Sequence, residues 1–121
     1  METSHLIIAL FHILGVVPLF LYVGIQRAAT QDAVYTTLLV LGCIVTAYHG
    51  YKAFIRFQAG SPYLWVNMIH FLYIGPLIAY IGYKQKDTPR SAYELLLLVG
   101  FGALGYHLYN LVQMLSNHRE V

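Results

Sequence analysis

Charge is scarce in this chain: seven Lys/Arg and five Asp/Glu make up 10% of 121 residues and leave a net charge of +2. Soluble domains carry about a quarter of their residues as charges. So few cations, dispersed along the chain, form no basic face and exclude nucleic-acid binding. Cysteine is nearly absent too. The lone Cys43, inside an apolar run, rules out a disulfide framework and a Cys-based zinc site. No basic segment precedes the first apolar run, which carries Glu2 ahead of it and is longer than a signal-peptide core, so that run is expected to stay in the mature protein.

Catalytic patterns are missing as well. No Ser/His/Asp or Cys/His nucleophile spacing occurs, and six histidines are fewer than membrane di-iron hydroxylases use. Glu94 is accounted for by the capping-box spacing Ser91-x-x-Glu94. Gly100-Phe101-Gly102 lies within an apolar run rather than in a phosphate loop, and no potassium-filter sequence is present. The sequence supports no enzyme activity.

What the chain does have is apolar length. Hydrophobic residues make up 59% of it, and mean hydropathy is +0.62. Charge-free runs cover residues 3–26, 33–51, 57–83 and 95–118. Each meets or approaches the roughly 20 residues that cross about 30 Å of hydrocarbon as a helix. Lipid cannot satisfy free backbone groups, and the runs show no strand alternation, so four transmembrane helices are expected. The class is all-α, an integral membrane four-helix bundle whose obligatory partner is the lipid bilayer; a homo-oligomer is compatible with it. Thr30 or Asp32 is the candidate N-cap of the second helix.

The sequence also matches itself. At an offset of 58, fifteen positions are identical, among them His12/His70, Pro18/Pro76, Tyr22/Tyr80, Gly24/Gly82, Thr30/Thr88, Tyr35/Tyr93, Gly42/Gly100, Tyr48/Tyr106, His49/His107 and Tyr51/Tyr109. Paired His, Pro, Tyr and Gly are not chance matches of an apolar composition. The chain reads as a tandem duplication of a two-helix hairpin, with residues 1–58 as the first and 59–121 as the second. Two crossings per unit make the repeats parallel, related by a pseudo-two-fold axis along the membrane normal. Lys52, Arg56 and Arg119 on one face against Arg27, Lys84, Lys86 and Arg90 on the other set no orientation. Tyr63 and Trp65 on one side, and Tyr83 and Tyr93 on the other, suit interfacial belts.

Four histidines fall inside the runs, one per helix: His12, His49, His70 and His107. Counted from the intervening turns, the two in each hairpin differ in depth by roughly 3 Å at 1.5 Å per residue, which puts all four in one layer. Tyr35, Gly42 and His49 are spaced by seven, as are Tyr93, Gly100 and His107, so each trio shares a helix face. Gly42, Thr46 and Gly50 form a small-residue ridge for close helix approach, whereas the second half has Leu104 and Leu108 there. Pro18 and Pro76, six residues after a His, each delete a backbone hydrogen bond and kink the span.

Ionisable residues inside a membrane are costly and mark a site or its polar support. Tyr48, Tyr106, Tyr22, Tyr80, Asn67 and Asn110 are the candidate supporting layer. Three chemistries fit. Imidazoles can hold one Zn or Cu ion, or relay protons because His titrates near neutrality. A His pair can also ligate haem b, with Gly42 or Gly100 making room and Lys52 or Arg56 near the propionates; one porphyrin leaves two of the four histidines unused. A rival of another class is a scaffolding membrane protein in which His–Tyr and His–Asn bonds only pin helices. His5 and His118 are read as exposed terminal residues.

The motifs His12-x5-Pro18-Leu19-x2-Tyr22-x-Gly24 and Gly105-Tyr106-His107-Leu108-Tyr109, with Thr88-Pro89 in the turn, resemble uncharacterised small multi-pass membrane proteins of large nucleocytoplasmic DNA viruses. The resemblance covers most of the chain. It implies a viral or host membrane and assigns no activity.

Overall fold

A computed structural model describes residues 3–119 and their side chains as far as 117; the side chains of His118 and Arg119 lie outside the described set. Four helices account for nearly all of it, and no strand occurs among the described residues. They are α1 (Thr3–Ala29), α2 (Asp32–Ala59), α3 (Leu64–Asp87) and α4 (Arg90–Arg119). All four are long and apolar enough to cross a membrane.

Their ends follow from local chemistry. Gly60 takes the left-handed conformation (φ 64) that terminates α2, its N–H bonding back to Phe57 O, and Pro62 follows. Lys52 and Arg56 lie on α2 rather than ending it, so the helix outruns its charge-free core. Gln31, not Thr30 or Asp32, holds the N-cap position of α2 and makes no side-chain cap bond; Asp32 is the first helical residue. Nor does Ser91 start α4, which begins at Arg90, with Ala92 N–H donating to Pro89 O. The Thr88 hydroxyl points backward, donating to Gln85 O at 2.6 Å.

Helices α1 and α3 are not plain kinked helices at their prolines. Each opens into a five-residue π-turn, His12–Val16 and His70–Ile74, that ends just before the residue preceding Pro18 or Pro76. Val17 N–H reaches His12 O, and Gly75 N–H reaches His70 O. The wide turn moves the carbonyl ladder ahead of a residue that cannot donate and would clash with the carbonyl four back.

Packing divides the chain into two compact units: Met1–Ile25 with Glu94–Val121, and Gln26–Tyr93. Neither unit coincides with residues 1–58 or 59–121. The reason is visible in the second unit, where glycines on both helices bring the α2 and α3 backbones together. A Cβ on Gly42 would lie 2.5 Å from Ala79 N, and one on Gly50 would lie 2.8 Å from the Phe71 ring. One on Gly75 would meet the Thr46 hydroxyl, and one on Gly82 the Leu39 amide. Close approach through small residues drives helix association in lipid, where burial of apolar surface supplies little. Tyr35, Leu38, Ile78 and Ile81, all 0% exposed, fill the rest of this seam.

At one end of the same unit, the Tyr35 and Tyr93 hydroxyls bond each other at 2.7 Å. Tyr35 also donates to Arg27 O at 2.6 Å, and Tyr93 lies 3.1 Å from Gln85 O. Tyr93 is therefore no interfacial residue: it is 2% exposed. Tyr63, Trp65 and Tyr83 are exposed. Arg27 (φ 51) and Gln85 (φ 52), 58 residues apart, both have positive φ, which turns the chain abruptly near the end of each helix.

In the first unit, α1 buries Ala9, Val17, Phe20, Val23 and Gly24, and α4 buries Leu96 and Gly100. A Cβ on Gly100 would lie 3.0 Å from Leu21 Cδ2, so this approach is side chain against backbone rather than backbone against backbone. The outer faces of all four helices remain apolar and exposed, Ile7, Phe54, Leu98 and Phe101 among them. So much apolar surface requires a nonaqueous environment or a partner.

Candidate functional site

The four span histidines come together two by two. In the first unit the rings of His12 and His107 stack with centroids 4.3 Å apart and planes at 23°. In the second, His49 and His70 stack at 4.2 Å and 18°. Each pair joins a π-turn histidine to the histidine of a Tyr-His-x-Tyr segment. The four rings are half-buried.

Backbone geometry positions the π-turn members. His12 Nδ1 is 2.7 Å from Ile8 O, and His70 Nδ1 is 2.6 Å from Val66 O, each one turn earlier on its own helix. A carbonyl only accepts, so both Nδ1 atoms carry hydrogen. Nε2 is then the basic nitrogen of each neutral ring. His49 is held differently: its Nδ1 is 2.9 Å from Asn67 Nδ2, and Asn67 Oδ1 accepts from Arg56 Nη1 at 2.6 Å. The Arg56 guanidinium also stands 6.0 Å over the Tyr63 ring.

Tyr48 and Tyr106 sit edge-on to the histidines that follow them, at 5.2 and 5.1 Å, with much of each ring exposed. Asn67, 2% exposed, belongs to the expected polar layer and hydrogen-bonds a histidine. Tyr22 and Tyr80 are exposed, Asn110 is half-buried and His5 is exposed. Pro18 and Pro76 follow the π-turns, and Gly42 and Gly100 are buried on α2 and α4.

The stacked geometry limits what each pair can bind. A ring nitrogen holds a metal in the plane of the ring at about 2 Å. Nearly parallel planes one stacking distance apart do not share such a point. Axial haem ligation by both rings needs centroids roughly 6 Å apart for metal–nitrogen bonds of about 2 Å, so neither stack fits it. Among the described residues, no group of three or more His, Cys, Asp or Glu is placed to hold a metal ion.

Sequence reasoning missed the stacking, the π-turns and the tyrosine bridge. The one available signal for the bridge was the placement of Tyr35 and Tyr93 on the same faces as Gly42 and Gly100, which argues for the interior. No protein-family model, curated protein or solved structure matches this chain.

Proposed function

We propose that the chain is a multi-pass integral membrane protein, a tandem duplicate of a two-helix unit, whose paired intramembrane histidines accept and pass protons. The observation that carries this reading is the hydrogen bonding of His12 and His70. Each gives Nδ1–H to its own helix, so protonation at Nε2 leaves that bond intact. The stacked partner then restricts the load. Two unit charges 4.2 Å apart repel by about 4 kcal/mol at an effective dielectric of 20, which disfavours charging His49 and His70 together. A site that takes one proton and holds a neutral imidazole beside it suits a relay better than a store.

Support for the duplication comes from features that recur 58 residues apart: the π-turns, the positive φ of Arg27 and Gln85, the buried Thr30 and Thr88, and the histidine pairing itself. The resemblance of its motifs to small viral membrane proteins supports a viral or host membrane as its location.

A scaffolding role is the second reading, favoured by the α2–α3 seam. Between His49 and Tyr35 that seam is packed backbone to backbone at Gly42 and Gly82. A Zn or Cu site is the third; a stack supplies it with one in-plane ligand at most, and the feature favouring it is that metal-bound histidines commonly donate their other N–H to a carbonyl, as His12 and His70 do.

Purified protein in liposomes under an imposed pH gradient separates the three. Relay predicts that the wild type dissipates the gradient and that His12→Ala with His70→Ala does not while staying folded. Stoichiometric metal, lost from those variants, supports the ion site instead. Unchanged gradient with lowered stability of the variants supports the scaffold.

A further inference from the structure

The two histidine pairs are not chemically equivalent, and the difference lies in Arg56 and Asn67. A guanidinium has donors only, so the Asn67 side-chain oxygen must face Arg56 Nη1, 2.6 Å away. That fixes the amide orientation. The amide nitrogen, also donor only, then meets His49 Nδ1 at 2.9 Å, which must offer a lone pair. The hydrogen of a neutral His49 therefore sits on Nε2. Asn67 cannot turn over to suit a different ring state, because its NH2 would then face the guanidinium.

The positions 58 residues from Asn67 and Arg56 are Ala9 and Met114, which have neither amide nor charge. Ala9 and Asn67 are both 2% exposed, so the duplicated site keeps its burial and changes its chemistry. His70, on the other side of the stack, carries hydrogen on Nδ1. The two rings of this pair thus hold opposite tautomers. Among the groups around His49 are Arg56 and the edge-on Tyr48 from its own helix, with Asn67 and His70 from α3.

We infer that Arg56, acting through Asn67, is a positioning residue that fixes His49 as the Nε2–H tautomer and closes its Nδ1. Its pair is thereby made directional: His49 presents a donor at Nε2, and His70 a basic Nε2. The consequence for proton movement rests on the relay reading, but the tautomer is observable without it.

The test is solid-state NMR of the full chain, labelled with 15N-histidine and reconstituted in bilayers at about pH 7.5, above the range in which free His is charged. Ring nitrogen shifts of His49 should show a bare Nδ1 and a protonated Nε2. Arg56→Met, which installs the residue of the other half, should free Asn67 to turn over and give a mixture of tautomers. Arg56→Lys should restore the single form, because an ammonium is also donor only. Should Arg56→Met fail to fold, Asn67→Leu must give the same loss of a single form. A protonated Nδ1 on His49 in the intact protein would overturn the inference, as would an unchanged tautomer in Arg56→Met. The expected tautomer together with an undissipated pH gradient in liposomes supports the lock and sinks the relay.

Discussion

Gly82→Ala is the substitution that most sharply tests the packing. A Cβ at this position would lie 2.6 Å from Tyr35 O and 2.7 Å from Leu39 Cα. Comfortable contact begins near 3.5 Å, so the helices must part by about 1 Å. The obstructing atoms are backbone and cannot rotate away. Overpacking of this kind costs about 1–3 kcal/mol, partly offset by the 0.5–1 kcal/mol or so by which Ala improves on Gly inside a helix. A net loss of about 1–2 kcal/mol is expected. Gly102 is the matched control, since nothing lies within 4 Å of a Cβ there; Gly102→Ala should gain about 0.5–1 kcal/mol. Reversible unfolding in bicelles, followed by steric trapping or denaturant titration, measures both. Equal stabilities for the two variants, or a more stable Gly82→Ala, would refute the close approach of α2 and α3.

Removing one hydroxyl of the tyrosine bridge, by Tyr35→Phe or Tyr93→Phe, should cost about 0.5–1.5 kcal/mol. The double variant should cost less than the sum, because the 2.7 Å bond is lost once; a double-mutant cycle with no coupling would contradict it. Gln85→Gly relieves a residue with a side chain held at positive φ (52) and should stabilise the protein by about 1 kcal/mol, read as a shift in the unfolding midpoint. His70→Ala removes the ring stacked on His49 and should leave the Asn67–His49 bond in place, so the His49 nitrogen shifts stay within the same tautomer. In Asn67→Ala that tautomer should be lost while the stack persists.

Much of the architecture was legible because a helix long and apolar enough to cross a membrane shows itself as a charge-free run of about 20 residues. Charge-free runs located all four helices, and errors of boundary arose where charge and helix part company: Lys52 and Arg56 continue α2, and Gly60 with Pro62 delays α3. Heptad spacing identified the faces of Tyr35, Gly42 and His49 correctly as a shared stripe. The same spacing should have moved Tyr93 inward, but closeness to the end of a span made a belt position plausible. Pairing of the histidines was not legible, since depth along a helix is set by counting and azimuth by packing partners. The glycines of α2 and α3 chose those partners within the second unit. Nothing in composition foretells a π-turn either. It arises from Pro18 and Pro76 acting on a ladder already committed one turn earlier.

Ring-to-ring contacts in lipid bilayers test the account most directly. With selectively labelled histidines, magic-angle-spinning NMR should give cross-peaks between the imidazoles of His49 and His70, and between those of His12 and His107, from centroids 4.2 and 4.3 Å apart. Imidazoles that show contacts to lipid chains and none to each other would contradict it.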